Sequence, residues 1–212
     1  MNIAAGLLAP VPQGPGSGIR LRLRQATEVL HRRVELQIGL LTRVWTAEAY
    51  LLLLQAMRGI HAPLERRLIA MDWSGTAIVM RERCKTPWLD LDLAHYGLDE
   101  KAIADLAECR ASPPCENLPS GLGVLYVLEG STLGAEVILR TLQLQLGISA
   151  AMGGRFFSGY GKMAGARWRS YLAELERVGE SIPAAAAIEQ AAQDTFAAFA
   201  RWLAEAGLQQ NG

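Results

Sequence analysis

The chain has 212 residues, with 21 Lys and Arg balanced by 21 Asp and Glu, half of its residues hydrophobic and a fifth charged. That length suits one domain with a self-sufficient core, and zero net charge excludes a global field that would recruit nucleic acid or an anionic membrane. Cys84, Cys109 and Cys115 form no C-x-x-C pair and no Cys/His metal spacing, so they read as reduced thiols; with neither a signal peptide nor an apolar run of ~18 residues, the expected location is the cytoplasm.

Residues 1–18 are rich in Pro and Gly and carry no charge, which predicts a disordered tail ahead of a domain over 19–208. From Ile19 the pattern is helical: Leu23, Thr27, Leu30, Val34 and Ile38 recur at steps of three or four and share a face. A second helix is predicted from Thr46, as N-cap, to about Met71. Pro87 marks the first turn of a short helix ending near Gly97, and Asp99 caps another running to about Arg110. After a loop over 112–119, one long helix is predicted from Ser120 to Leu146, ending at Gly147. Residues 151–161 read as a connection, followed by helices over 164–178 and 183–206, the last with Phe196, Phe199 and Leu203 inward. No segment alternates with period two, so the prediction is an all-α single domain of about six to eight helices.

The segment from Gly121 to Arg140 is apolar enough for a buried helix, yet holds Gly121, Gly123, Gly130 and Gly134. Each glycine costs about 0.5–1 kcal/mol relative to Ala inside a helix. Gly130 and Gly134 are one turn apart, and Ser131 and Ala135 make the neighbouring stripe, so a strip of helix is nearly bare backbone. Two readings stand: close packing against another helix, or a flat ligand lying across it.

Three histidines are present. His31 has Glu35 one turn on, which can accept a hydrogen bond from one imidazole nitrogen and leave the other free, an arrangement that fixes the tautomer of a metal ligand. A plain His–Glu surface pair has the same spacing. His61, near Glu65, and His95 read as structural or surface groups. Arg24, two turns before His31 on the same face, lies about 10 Å away along the axis, where it could meet a ligand carboxylate or simply water.

Together these pieces resemble the haem oxygenase family, in particular its bacterial branch, which includes enzymes found beside bacterial phytochromes. The resemblance is carried by Leu23-Arg-Gln-Ala-Thr27-Glu-Val-Leu-His31-Arg-Arg-Val-Glu35, similar to the family's A-T-x-x-x-H-x-x-x-E first helix, by Tyr126-Val-Leu-Glu-Gly130-Ser-Thr-Leu-Gly134, and by Phe156-Phe-Ser-Gly-Tyr160-Gly followed by Trp168-Arg-Ser-Tyr171. It implies haem, as substrate and cofactor, held between the first helix and a kinked Gly-rich distal helix. It further implies His31 as iron ligand, Gly130 and Gly134 as close backbone contacts, Arg24 and Arg169 as partners of haem propionates, and Thr27, Glu35, Tyr126 and Phe157 around the pocket. Where mammalian-type relatives have Asp after the first glycine, this chain has Ser131, as bacterial relatives do, so a network of ordered water would be arranged differently there. The implied reaction is cleavage of haem to biliverdin, CO and ferrous iron with O2 and an external donor (a ferredoxin or a reductase), in a monomer without membrane or nucleic-acid partners and with a bacterial phytochrome as an implied bilin acceptor. Rivals are a haem carrier or sensor without turnover, another enzyme on the same architecture built on a pocket cysteine, and a purely structural bundle.

Overall fold

The computed structural model describes residues 18–208 apart from 40 and 114; the tail predicted over 1–18 therefore lies outside the described residues, save Gly18. Among the described residues there are nine α-helices and no strand: α1 (Ile19–Ile38), α2 (Ala47–Ala70), α3 (Thr86–His95), α4 (Glu100–Ala104), α5 (Leu118–Gly130), α6 (Ala135–Leu146), α7 (Arg155–Ser158), α8 (Ala164–Val178) and α9 (Ile182–Glu205). Caps explain most starts. Thr46, Asp99, Asn117 and Ser181 each accept a hydrogen bond from the backbone N–H three residues on, at 3.2, 2.7, 3.0 and 3.3 Å. Pro87 stands in the first turn of α3 as expected.

Three expectations are corrected. The helix predicted from Asp99 to Arg110 stops at Ala104, because the chain turns to α2: Cys109 N–H donates to the Gly59 carbonyl at 2.8 Å, a tertiary bond that outweighs local propensity. The single helix predicted from Ser120 to Leu146 is two, α5 and α6, separated by a turn over 131–134. There Thr132 and Leu133 donate to carbonyls three residues back rather than four, and the tightened ladder ends the helix. The connection over 151–161 contains α7. Short helices of this kind account for the excess over the predicted count.

α9 packs on both α1 and α5, and α2 packs on α3. The α5 stretch from Gly121 to Gly130 is buried along its whole length. The span Leu118–Leu146 is long and apolar enough to cross a membrane by length and composition, but 67% of its most apolar stretch is buried inside the protein; it is a core element.

Three of the four glycines divide into two uses. A Cβ on Gly123 would come within 2.3 Å of the Ile188 carbonyl oxygen and 2.7 Å of the Ala191 Cβ, so this glycine permits the α5–α9 crossing. Gly130 ends α5 and Gly134 precedes α6 with ordinary negative φ, so they bracket the break. Helix propensity alone says Gly123→Ala should stabilise by about 0.5–1 kcal/mol. The crossing reverses that sign, and urea unfolding of Gly123→Ala should show a loss of about 1–3 kcal/mol.

Candidate functional site

A cavity opens where α1, α2, the α5–α6 break, α7 and α9 converge, with about 780 Å3 of empty space once the open solvent at its mouth is included. Helix α1 contributes His31, Val34, Glu35 and Ile38, and α2 contributes Leu53 and Met57. The break contributes Ser131 and Thr132, α6 adds Ala135 and Ile138, and the aromatic floor is Phe156 and Phe157 of α7 with Phe196 and Phe199 of α9. Val127 of α5 and Lys85, from the turn before α3, complete it. The lining is aliphatic and aromatic apart from His31, Glu35, Lys85, Ser131 and Thr132.

His31 is held by its surroundings. Its ring meets Phe196 edge-on with centroids 5.6 Å apart, and Nε2 faces Glu35 Oε1 at 3.4 Å. Burial lowers its pKa to about 4, so at neutral pH the pair is a neutral imidazole beside a carboxylate rather than an ion pair, and one ring nitrogen is left for another partner. An unfolded His titrates near 6.5. Between that value and about 4 the unfolded chain takes up a proton that the folded chain refuses, so this group's contribution to stability is full above pH 6.5 and falls with pH through that window.

Ser131 donates its hydroxyl proton to the Leu128 carbonyl at 2.8 Å and Thr132 to the Glu129 carbonyl at 2.7 Å. Both close the frayed end of α5 and turn lone pairs, not protons, toward other partners.

Of the residues singled out from the sequence, His31, Glu35, Ser131 and Phe157 come together on the cavity, with Gly130 and Gly134 buried at the ends of the break behind Ser131. Thr27, Tyr126 and Arg24 form a separate cluster. Thr27 Oγ1 donates to the Leu23 carbonyl at 2.6 Å; burial raises the Tyr126 hydroxyl while its hydrogen bond with Thr27 and the charge of Arg24 oppose that. Arg24 is exposed, and so is Arg169 on α8. None of these four lines the cavity.

Sequence reasoning missed Lys85 and its partners. Lys85 Nζ donates to Glu129 Oε1 at 2.8 Å and to the Arg83 carbonyl at 3.1 Å. Arg83 Nη1 donates to Glu129 Oε2 at 2.6 Å, and Tyr160 Oη to Glu129 Oε1 at 2.8 Å. The side chains of Arg83, Lys85 and Glu129 are at most 2% exposed. Alongside, His61 Nδ1 lies 3.2 Å from Glu65 Oε1. Glu65 also takes the backbone N–H groups of Lys85 and Thr86 at 2.8 and 3.0 Å. Burial works to raise the Glu65 carboxyl, and the bonds from His61 and Thr86 overcome it to hold the group below the usual range. The hint available in the sequence was His61-x-x-x-Glu65, the same spacing as His31-x-x-x-Glu35.

No cysteine lines the cavity. Burial pushes the Cys84 and Cys115 thiols up to about 11 and raises Cys109 as well, so these are not activated nucleophiles.

The fold and cavity define a helical protein with a deep apolar site and a neutral histidine on its wall. A family model described as Heme oxygenase matches residues 18–205, and the chain belongs to that family. A solved structure of NO- and CO-bound heme oxygenase from Neisseria meningitidis is similar in fold, with a TM-score of 0.77 and 21% identity over 93% of this chain and 96% of that one. No curated protein matches the chain. Family and fold together support haem oxygenase function in general, with haem as the substrate and a reductase as partner.

Proposed function

We propose that the chain cleaves haem oxidatively to biliverdin, CO and ferrous iron, with His31 as the iron ligand. The observation that carries this is His31 itself: a histidine kept neutral by burial, with Glu35 beside one nitrogen, on the wall of an apolar cavity. The residues fit the substrate. A flat, largely apolar macrocycle suits walls of Phe, Leu, Ile and Val, and a neutral imidazole oriented by a carboxylate suits an iron ligand.

Bound haem supplies both the ring to be opened and the metal that activates oxygen. The chain's residues do the rest. Glu35 fixes which nitrogen of His31 carries the proton. Phe156, Phe157, Phe196 and Phe199 exclude bulk water. The α5–α6 break brings Ser131, Thr132 and Ala135 to the wall with small side chains, leaving room that an unbroken helix of large residues would fill. The hydroxyls of Ser131 and Thr132, already donating to carbonyls, can accept from ordered water. The reading of a carrier without turnover has no separate observation in its favour.

The test is an optical titration of the purified protein with haemin, followed by ascorbate or a ferredoxin-type donor in air. The expected course is a Soret band that forms and then decays into a broad red bilin absorption. A Soret band that persists under reduction in air would leave binding and remove turnover. Because protons do not compete for His31 until the pH nears its depressed value of about 4, haemin affinity should stay level from pH 8 through pH 6. A loss centred near 6.5, where an unperturbed His titrates, would show that the ligand is not a histidine held neutral by burial.

A further inference from the structure

Lys85 is the one lining residue of the cavity that carries a positive charge. Its side chain is 1% exposed, and a buried ammonium requires a reason. Its Nζ has three protons to donate; Glu129 and the Arg83 carbonyl take two, and the Tyr160 ring lies 5.4 Å away. The carboxylate that balances it is shared. Glu129 also serves the buried Arg83 guanidinium and the Tyr160 hydroxyl, so one negative charge faces two cations. The neighbouring carboxylate, Glu65, takes the Lys85 backbone N–H rather than its ammonium.

Position links this charge to the break. Glu129 immediately precedes Gly130, so the ion pair ties Lys85 to the end of α5 from which Ser131 and Thr132 follow. Both hydroxyls on that wall donate to helix carbonyls. Lys85 is thus the cation on that lining, in surroundings of low polarity where a charge-assisted bond is strong. The other charged group on the lining, Glu35, stands beside His31 on α1.

We propose that Lys85 makes the wall at the α5–α6 break a subsite for a small monovalent anion. On the haem reading, on which this inference rests, that anion would be a small one that binds the haem iron. The cavity then prefers anionic iron ligands to neutral ones of the same size, and Glu129 is the positioning residue that aims the ammonium.

The experiment uses ferric haem-loaded protein titrated with azide, with carbon monoxide on the anaerobically reduced protein as the neutral control, for wild type, Lys85→Met and Lys85→Arg. Azide should bind about tenfold or more weakly to Lys85→Met, the loss of one charged hydrogen bond. Carbon monoxide affinity should change little, and Lys85→Arg should recover most of the azide affinity. Should Lys85→Met not fold, Lys85→Gln carries the same comparison, keeping donors while removing the charge. Equal azide affinity in wild type and the uncharged variant, with the Soret band intact in both, overturns the subsite and leaves the haem reading standing. A wild-type protein that forms no Soret band overturns the haem reading, and the subsite with it.

Discussion

Replacing His31 with Ala is expected to remove the tight haem complex and with it all turnover, while the fold persists. The ring is half-buried, and its main neighbours are Phe196 edge-on and Glu35, so its deletion leaves space at a cavity already open rather than a void in a closed core. Loss of a residue that only orients a metal ligand typically costs about 10–100-fold in metal affinity; loss of the ligand should cost more. Glu35→Gln supplies that lower step, since an amide oxygen still accepts from the imidazole but brings no charge. The check is a Soret titration of wild type, His31→Ala and Glu35→Gln, with imidazole then added to the alanine variant. Imidazole occupying the vacated space should restore part of the Soret band. An alanine variant that binds haemin and turns it over as wild type does would take His31 out of the site altogether.

Much of the site's α1 half was legible in the sequence, because a helix writes its faces at fixed spacing. Leu23, Thr27, Val34 and Ile38 are buried along α1 as their periodicity requires, and Glu35 falls beside His31 for the same reason. Phe196 and Phe199 followed from spacing in α9. What spacing cannot carry is contact between segments far apart in the chain. Lys85 reaches Glu129 across 44 residues, and Arg83 across 46; read alone, each of these charges looks like a solvated one. The α5–α6 break shows a second limit. Gly130 and Gly134 were visible as an excess of glycine, but a glycine that admits a neighbouring helix and one that ends a helix look alike until a contact such as that between Gly123 and Ile188 is known. The early stop of α4 belongs to the same class, since the bond from Cys109 to Gly59 competes with a helix that local sequence favours.

Glu129→Leu is the substitution expected to cost the most stability. It is close in volume, so the loss is electrostatic rather than a packing defect. The side chain is 1% exposed and balances two cations, Arg83 and Lys85, that are themselves buried. Its removal leaves both charges without a carboxylate and Tyr160 without its acceptor. Breaking a buried pair by removing one partner typically costs about 3–5 kcal/mol, which for a chain of this size lowers Tm by roughly 6–20 °C. Removing a cation instead leaves Glu129 still paired with the other, so Lys85→Met alone should be milder. The two changes should also be non-additive: with Lys85 already neutral, Glu129→Leu strands one charge rather than two, and the double variant should be more stable than the sum of the single losses implies. Thermal unfolding of the two single variants and the double variant closes that cycle. Strict additivity, or a Glu129→Leu protein that melts with wild type, would mean that the cluster is hydrated in solution and that its charges do not depend on one another.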